Sequence, residues 1–233
     1  MPLLQEENIQ HLIFSTLFNV TDLTNGKWPH VYHFDSKARI EAYIRSLGIP
    51  ASFFMPGFFM SNLQTMLNPS PQPPNNLTWA FPAPASTPIP FFDASEDSGK
   101  FVKAMVLKRD QVLGKNVLAA TDYYTVQQVL DTFTKVKGKQ ADFWQVDKET
   151  YTGFLKGAGM PEFAAVELYE NMSFMEEFGY YGKRSLEWSL SVRRGPGSSV
   201  SGLIILMLTW LQLLDEKPTT LDQFLANNKK WDA

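Results

Sequence analysis

Two apolar runs with an amphipathic stretch between them dictate a parallel sheet. Residues 11–17 (HLIFSTL) are apolar and bounded by polar neighbours, the pattern of a buried parallel strand. A polar loop follows, with Asn25-Gly26 as its turn signal. Asp35 or Ser36 can cap a helix that runs to about Leu47. Its apolar positions Ile40, Ala42, Tyr43, Ile44 and Leu47 leave the charges on the opposite face, and Gly48 closes it. Residues 51–55 (ASFFM) read as a second strand, ended by Pro56-Gly57. Strand, helix and strand in that order imply a right-handed crossover between parallel neighbours. Two strands do not hold a sheet by themselves. The chain is therefore expected to begin partway through a fold, or to borrow a sheet from a partner.

Downstream, the pattern becomes mixed. Residues 68–90 carry Pro69, Pro71, Pro73, Pro74, Pro82, Pro84, Pro88 and Pro90, which predicts an irregular excursion with short edge strands, one of them at 77–81. Helices are predicted at 93–107, 125–136, 148–157 and 162–178, and strands at 115–119 and 141–146. Thr125 and Gln128 form a capping box for the second of these helices. A last short helix over 220–231 is capped by Thr219 or Thr220. The basic cluster Lys135, Lys137 and Lys139 reads as a solvated helix end.

Composition narrows the function classes. With 44% hydrophobic and 19% charged residues, the 233-residue chain can bury a real core. A net charge of -3, with Lys135, Lys137 and Lys139 as the one local basic cluster, argues against direct nucleic-acid binding. The absence of cysteine excludes disulfides, thiolate metal sites and a cysteine nucleophile. His11, His30 and His33 have no metal-ligand spacing with nearby acids, so no metal site is expected, and His11 reads as a structural residue of its strand. The amino end has no basic segment followed by an apolar run, so no signal peptide is read there. The apolar run at 203–214 is short of a membrane span of about 20 residues, so no transmembrane segment is expected.

Two constellations could carry chemistry. In His33-Phe34-Asp35-Ser36-Lys37, His33 and Lys37 are four apart and share a face if the helix extends back that far. That is the spacing of a proton-transfer pair in which a lysine tunes a neighbouring acid, although His33 is an imidazole and not a phenol. Tyr32 is adjacent but belongs to another face. The second is Pro56-Gly57-Phe58-Phe59-Met60-Ser61-Asn62-Leu63, directly after a strand, where open α/β sheets place their ligands. Gly57 would let the backbone approach a flat ring, Phe58 could pack on it and Asn62 could supply a polar contact. The plainer alternatives remain open. His33 and Lys37 can be solvated first-turn residues, and Phe58, Met60 and Leu63 can be core.

HLIFSTL, HFDSKARIEAYIRSLGIPASFFMPGFFMSNL, FFDASEDSGKFVKAM and EEFGYYG, in that order, resemble the NmrA-like family, an atypical branch of the extended short-chain dehydrogenases. The resemblance covers roughly residues 8–190 and resumes at about 213. It implies an α/β fold: an incomplete Rossmann-like parallel sheet over 1–66, and a smaller α+β subdomain for substrate or partner over 67–233. It implies NADP or NAD as cofactor. Ser15 and Thr16 would lie beside it, Lys37 would be the active-site lysine, and Pro56, Gly57 and Phe58 would form the loop near the nicotinamide. His33 stands at the family's tyrosine position, as in some of its sensor-type members.

The resemblance leaves three functions open: a redox-sensing regulator of a transcription factor, a dehydrogenase acting on a hydrophobic substrate among Phe58, Phe59, Met60 and Trp79, and a fragment without activity of its own. The regulator reading implies a protein partner, either a transcription factor or a second copy, and a cytoplasmic or nuclear location. The family's glycine-rich turn (G-x-x-G-x-x-G), which holds the pyrophosphate, is not in this chain, and that argues against cofactor binding by the chain alone. The segment 192–212 (VRRGPGSSVSGLIILMLTWLQ) also breaks the family pattern. Its ends can be encoded by intron-like codons and Leu208-Thr209 by a fungal-type branch sequence, so it reads as a retained intron translated in frame. The rival reading is an apolar helix that docks on a partner or membrane.

Overall fold

The computed structural model describes residues 8–70, 76–184, 186–193 and 203–232. Its organising unit is the parallel sheet read from the sequence. Strand β1 (Leu12–Ser15) is followed by a short helix α1 (Val20–Leu23) and by α2 (Tyr32–Ser46), and then by β2 (Ala51–Pro56). β1 and β2 pair in parallel, Leu12 opposite Ala51 through Ser15 opposite Phe54. Two-residue β3 (Phe58–Phe59), helix α3 (Leu63–Met66) and strands β4 (Leu67–Pro69), β5 (Leu77–Phe81) and β6 (Pro88–Phe92) come next. Helices α4 (Ala94–Leu107) and α5 (Arg109–Val112) then lead to β7 (Asn116–Ala119), which pairs in parallel on the other side of β2. The order β1-β2-β7 makes β2 central, and all six of its residues are buried. That explains why ASFFMP is apolar throughout instead of alternating.

β2 contributes to two apolar clusters. Phe53 packs with Ile44 and Ala51, and the Arg45 guanidinium lies 4.0 Å from the Phe53 ring centre. Arg45 also pairs with Glu41 at 2.8 Å, so its charge is balanced on its own helix. Phe54 and Met55 face the larger apolar cluster, which runs from Leu17 to Trp231.

The remainder comprises β8 (Asp122–Thr125), α6 (Val126–Lys137), β9 (Ala141–Gln145), α7 (Lys148–Gly157), α8 (Glu162–Phe178), β10 (Glu187–Arg193), β11 (Leu203–Thr209) and α9 (Leu221–Asn227). Two further three-stranded sheets, β3-β6-β8 and β4-β5-β9, mix parallel and antiparallel pairs. Thr125 and Gln128 form the expected capping box on α6, and Thr220 and Gln223 form a second on α9. β10 and β11 pair antiparallel as a separate two-stranded sheet. The apolar run after 203 is thus a strand and a 3-10 turn (Trp210–Leu213), not the apolar helix of the rival reading.

Several sequence expectations are corrected. Helix α2 begins at Tyr32, before Asp35, so Asp35 is not its cap, and of the apolar positions read on it Ile40, Ala42 and Tyr43 are exposed while Ile44 is buried. Strand β1, read as buried, is only half-buried. Strand 77–81 is not at an edge: β5 lies between β4 and β9 with Trp79 and Phe81 fully buried, because the neighbouring prolines end the strands around it and none falls within it. The strand Pro88–Phe92 was unexpected because it holds two prolines and yet is central. It is tolerated because β3 is only two residues long and pairs with Phe91 and Phe92, beyond both prolines. Lys137 is not solvated: its side chain is buried, donating to the Asn228 carbonyl and pairing with Asp232.

Candidate functional site

The carboxyl ends of β1 and β2 open onto a cleft of ≈ 420 Å³. Ser15, Leu17, His33, Phe34 and Lys37 line one side, and Pro56, Gly57, Phe58, Phe59, Asn62, Thr65 and Met66 another. Tyr151, Leu168, Asn171, Met172 and Tyr180 close it from the carboxyl-terminal half. Of the residues picked out in the sequence, Ser15, His33, Lys37, Pro56, Gly57, Phe58 and Asn62 are brought together here.

Thr16 is not among them. Its N–H donates to the Phe54 carbonyl at 2.8 Å, one step past the end of β1, and its side chain is buried against the Leu17 and Lys37 carbonyls. Met60 and Trp79 are also fully buried and outside the lining, so they serve the core and not a substrate.

His33 and Lys37 sit one turn apart on α2 because the helix starts early, and the reason lies on α8. Val31, at the N-cap, offers no side-chain acceptor. Instead, Glu170 accepts from the His30 N–H at 2.8 Å and Glu167 from the His33 N–H at 2.8 Å. Each carboxylate also meets the imidazole Nδ1 of the same histidine at 2.6 Å. A carboxylate only accepts, so each Nδ1 carries the hydrogen. Two acids at a helix amino end also suit its dipole. Asp35, freed from that task, is buried and accepts from Val20 N–H at 2.7 Å and from the Thr21 hydroxyl, holding the start of α1.

Lys37 extends toward the end of β1, its Nζ 3.3 Å from Ser15 Oγ. Among the described residues it makes no ion pair, which leaves an ammonium with spare donors beside the cleft. The lining holds one lysine and no carboxylate, and is otherwise mostly apolar.

Gly57 meets a packing constraint between two sheets. A Cβ there would lie 2.5 Å from the Pro90 carbonyl oxygen, 3.2 Å from the Tyr181 hydroxyl and 3.3 Å from Ala120 Cβ. The missing side chain makes room for the neighbouring sheet. Phe58 stacks edge-on against Phe91, with ring centres 5.5 Å apart.

Tyr180 is a cleft phenol that the sequence reading missed. Its hydroxyl donates to the Pro56 carbonyl at 3.3 Å, and burial pushes its pKa well above the ordinary value. Tyr181 donates likewise to the Met55 carbonyl at 3.0 Å. Neither phenol is poised to exchange a proton near neutral pH. The EEFGYYG motif marked both tyrosines, but nothing in their spacing tied them to Pro56. Among the described residues no group of acids and histidines could hold a metal ion, and no helix is long and apolar enough to cross a membrane.

A family model described as the NmrA-like family matches residues 3–201. The chain belongs to the NmrA-like family. The chain is 24% identical over 195 residues to the nitrogen metabolite repression protein nmr of Neurospora crassa, covering 79% of this chain and 39% of that protein. It is 28% identical over 149 residues to the NmrA-like family domain-containing oxidoreductase ptmS of Penicillium ochrochloron, covering 59% of this chain and 44% of that one. Among solved structures, the negative transcriptional regulator NmrA in complex with NADP superposes with a TM-score of 0.72 over 96% of this chain and 65% of its own, at 18% identity. The fold is therefore that of NmrA, an α/β fold with a parallel sheet. The chain spans about two-fifths of the length of these two curated relatives.

Proposed function

We propose that this NmrA-like chain takes part in redox-responsive transcriptional regulation, holding the nicotinamide-ribose end of NADP or NAD in the cleft and passing its state to a protein partner. The observation that carries this reading is the shared face of His33 and Lys37. Lys37 sits beside Ser15 with donors to spare for ribose hydroxyls, while the neighbouring proton-transfer position holds an imidazole engaged by Glu167. Bound there, the nicotinamide would supply a hydride-accepting or hydride-donating ring, and Pro56, Gly57 and Phe58 would border it. The residues fit that half of the cofactor. A glycine-rich turn for the pyrophosphate is not found among the described residues, so the proposal is confined to the nicotinamide-ribose end. The partner is a transcription factor or a second copy of the chain, in the cytoplasm or the nucleus.

A second reading, an NAD(P)-dependent oxidoreductase, is favoured by the same Lys37 and by the apolar walls of the cleft. Of the two phenols that line the cleft, Tyr180 is bonded to the Pro56 carbonyl, and burial pushes the pKa of Tyr151 well above the ordinary value.

Titration of the purified chain with NADP and NADPH, followed by tryptophan fluorescence, tests the first reading. Saturable binding weakened about tenfold or more by Lys37→Ala, without oxidation of NADPH by added carbonyl compounds, is the expected result. No saturable binding defeats it, and turnover abolished by Lys37→Ala transfers the case to the second reading.

A further inference from the structure

The carboxyl-terminal wall of the cleft carries a polar group with nothing to bond to. Asn171 of α8 is 3% exposed and lines the cleft, and its side-chain Nδ2 has no hydrogen-bond partner. A buried amide donor is normally satisfied, and one left open at the edge of a cavity calls for an acceptor from outside the chain. Among the described residues the other orphaned buried donors, the indole nitrogens of Trp28, Trp79 and Trp231, belong to residues outside the lining. Asn171 is one turn from Glu167, the residue that fixes His33, so α8 presents both to the same side.

The surroundings define what the acceptor is attached to. Leu168 and Met172 flank Asn171 on its own helix, and Phe58, Phe59 and Tyr151 face the same space. These walls favour a flat apolar group, and the absence of a carboxylate from the lining disfavours a cation. We infer that the cleft accepts a flat ring bearing a carbonyl oxygen, with Asn171 Nδ2 donating to that oxygen. The inference deepens the reading of the cleft as a nicotinamide site and rests on it for the neighbour on the Lys37 side. The carbonyl can come from the carboxamide of a dinucleotide's own nicotinamide or from a separate aryl ketone.

Acetophenone and α-methylstyrene separate the donor's contribution from shape, because the second replaces the C=O of the first with C=CH2. Binding of each to the purified chain is measured by ligand-observed NMR, with and without saturating NADPH. The wild-type chain is expected to prefer the ketone by about five- to tenfold. Asn171→Leu is expected to bring the ratio near one while still binding the alkene, which also shows that the variant is folded. Competition between NADPH and the ketone assigns the acceptor to the nicotinamide carboxamide, and binding of both together assigns it to a second ligand. Both results support the inference. Equal binding of ketone and alkene by the wild type, or binding of neither, overturns it. Ketone preference without any NADPH binding upholds Asn171 and sinks the cofactor reading instead.

Discussion

The carboxylate of Glu167 takes two hydrogen bonds from one residue, His33: the backbone N–H at 2.8 Å and the imidazole Nδ1 at 2.6 Å. Glu170 repeats the arrangement with His30. The amino end of α2 is thus capped from α8, and the two pairs differ in burial. Glu170 is almost covered (7% of its side chain exposed), whereas Glu167 is less so at 15%. Glu170→Ala is expected to lower stability by about 1–3 kcal/mol, since it strands a backbone N–H. Glu167→Ala should cost about 1 kcal/mol, the scale of a lost cap, and Glu167→Gln less because an acceptor remains. Urea denaturation measures all three. An unchanged midpoint for Glu170→Ala would refute the capping role.

Gly57→Ala should destabilise the chain by about 1–3 kcal/mol, because the added methyl would press on the Pro90 carbonyl and not on a side chain that could swing aside. The same change leaves Lys37 and Ser15 untouched. Thermal melting of the variant is the measurement, and an unchanged transition would mean that the two sheets part easily at this point.

The strand–helix–strand unit was legible because β2 is apolar and buried on both faces and β1 is apolar too, although β1 is only half-buried and Ile44 is the one buried residue of the stripe read on α2. The capping box at Thr125 was legible for a local reason: cap and partner are three residues apart. On α9 the cap was read as Thr219 or Thr220, without its partner Gln223. The start of α2 was not legible. Its acceptors lie on another helix, and Asp35, which looked like the cap, serves Val20 and Thr21 instead. The site divided in the same way. Residues on β1, α2 and the loop after β2 could be named from motif and spacing. Tyr151, Asn171 and Tyr180 could not, because only the packing of α7 and α8 against the sheet brings them to the cleft.

Alkaline pH should unfold the protein through its buried phenols. An unfolded tyrosine loses its proton near pH 10. Burial holds Tyr123 protonated to about 12 and pushes Tyr180 and Tyr181 well above the ordinary value. Between those limits the folded chain binds more protons than the unfolded one, so stability falls as pH rises. It is complete below about pH 10 and declines above it. Far-UV circular dichroism in moderate urea across pH 8–12 should show the loss begin near 10, and Tyr123→Phe should soften it. A flat profile to pH 12 would contradict the burial of these hydroxyls.

The segment 192–212 is proposed to be a retained intron. Amplification of the transcript across it is expected to yield a shorter product that joins Ser191 to Leu213 in frame. A product of full length alone, in every growth condition sampled, would leave β11 as a genuine strand of the protein.

The residues that set the first turn of α2 are separated from their acceptors by 134 and 140 positions. On a ribosome, the helix bearing Lys37 is made long before α8 emerges, and until then its leading N–H groups face water. The cleft cannot be finished in the order in which it is written. Hydrogen exchange on a chain stopped ahead of Glu162 should find His33 and its neighbours unprotected while the β1–β2 ladder already resists exchange.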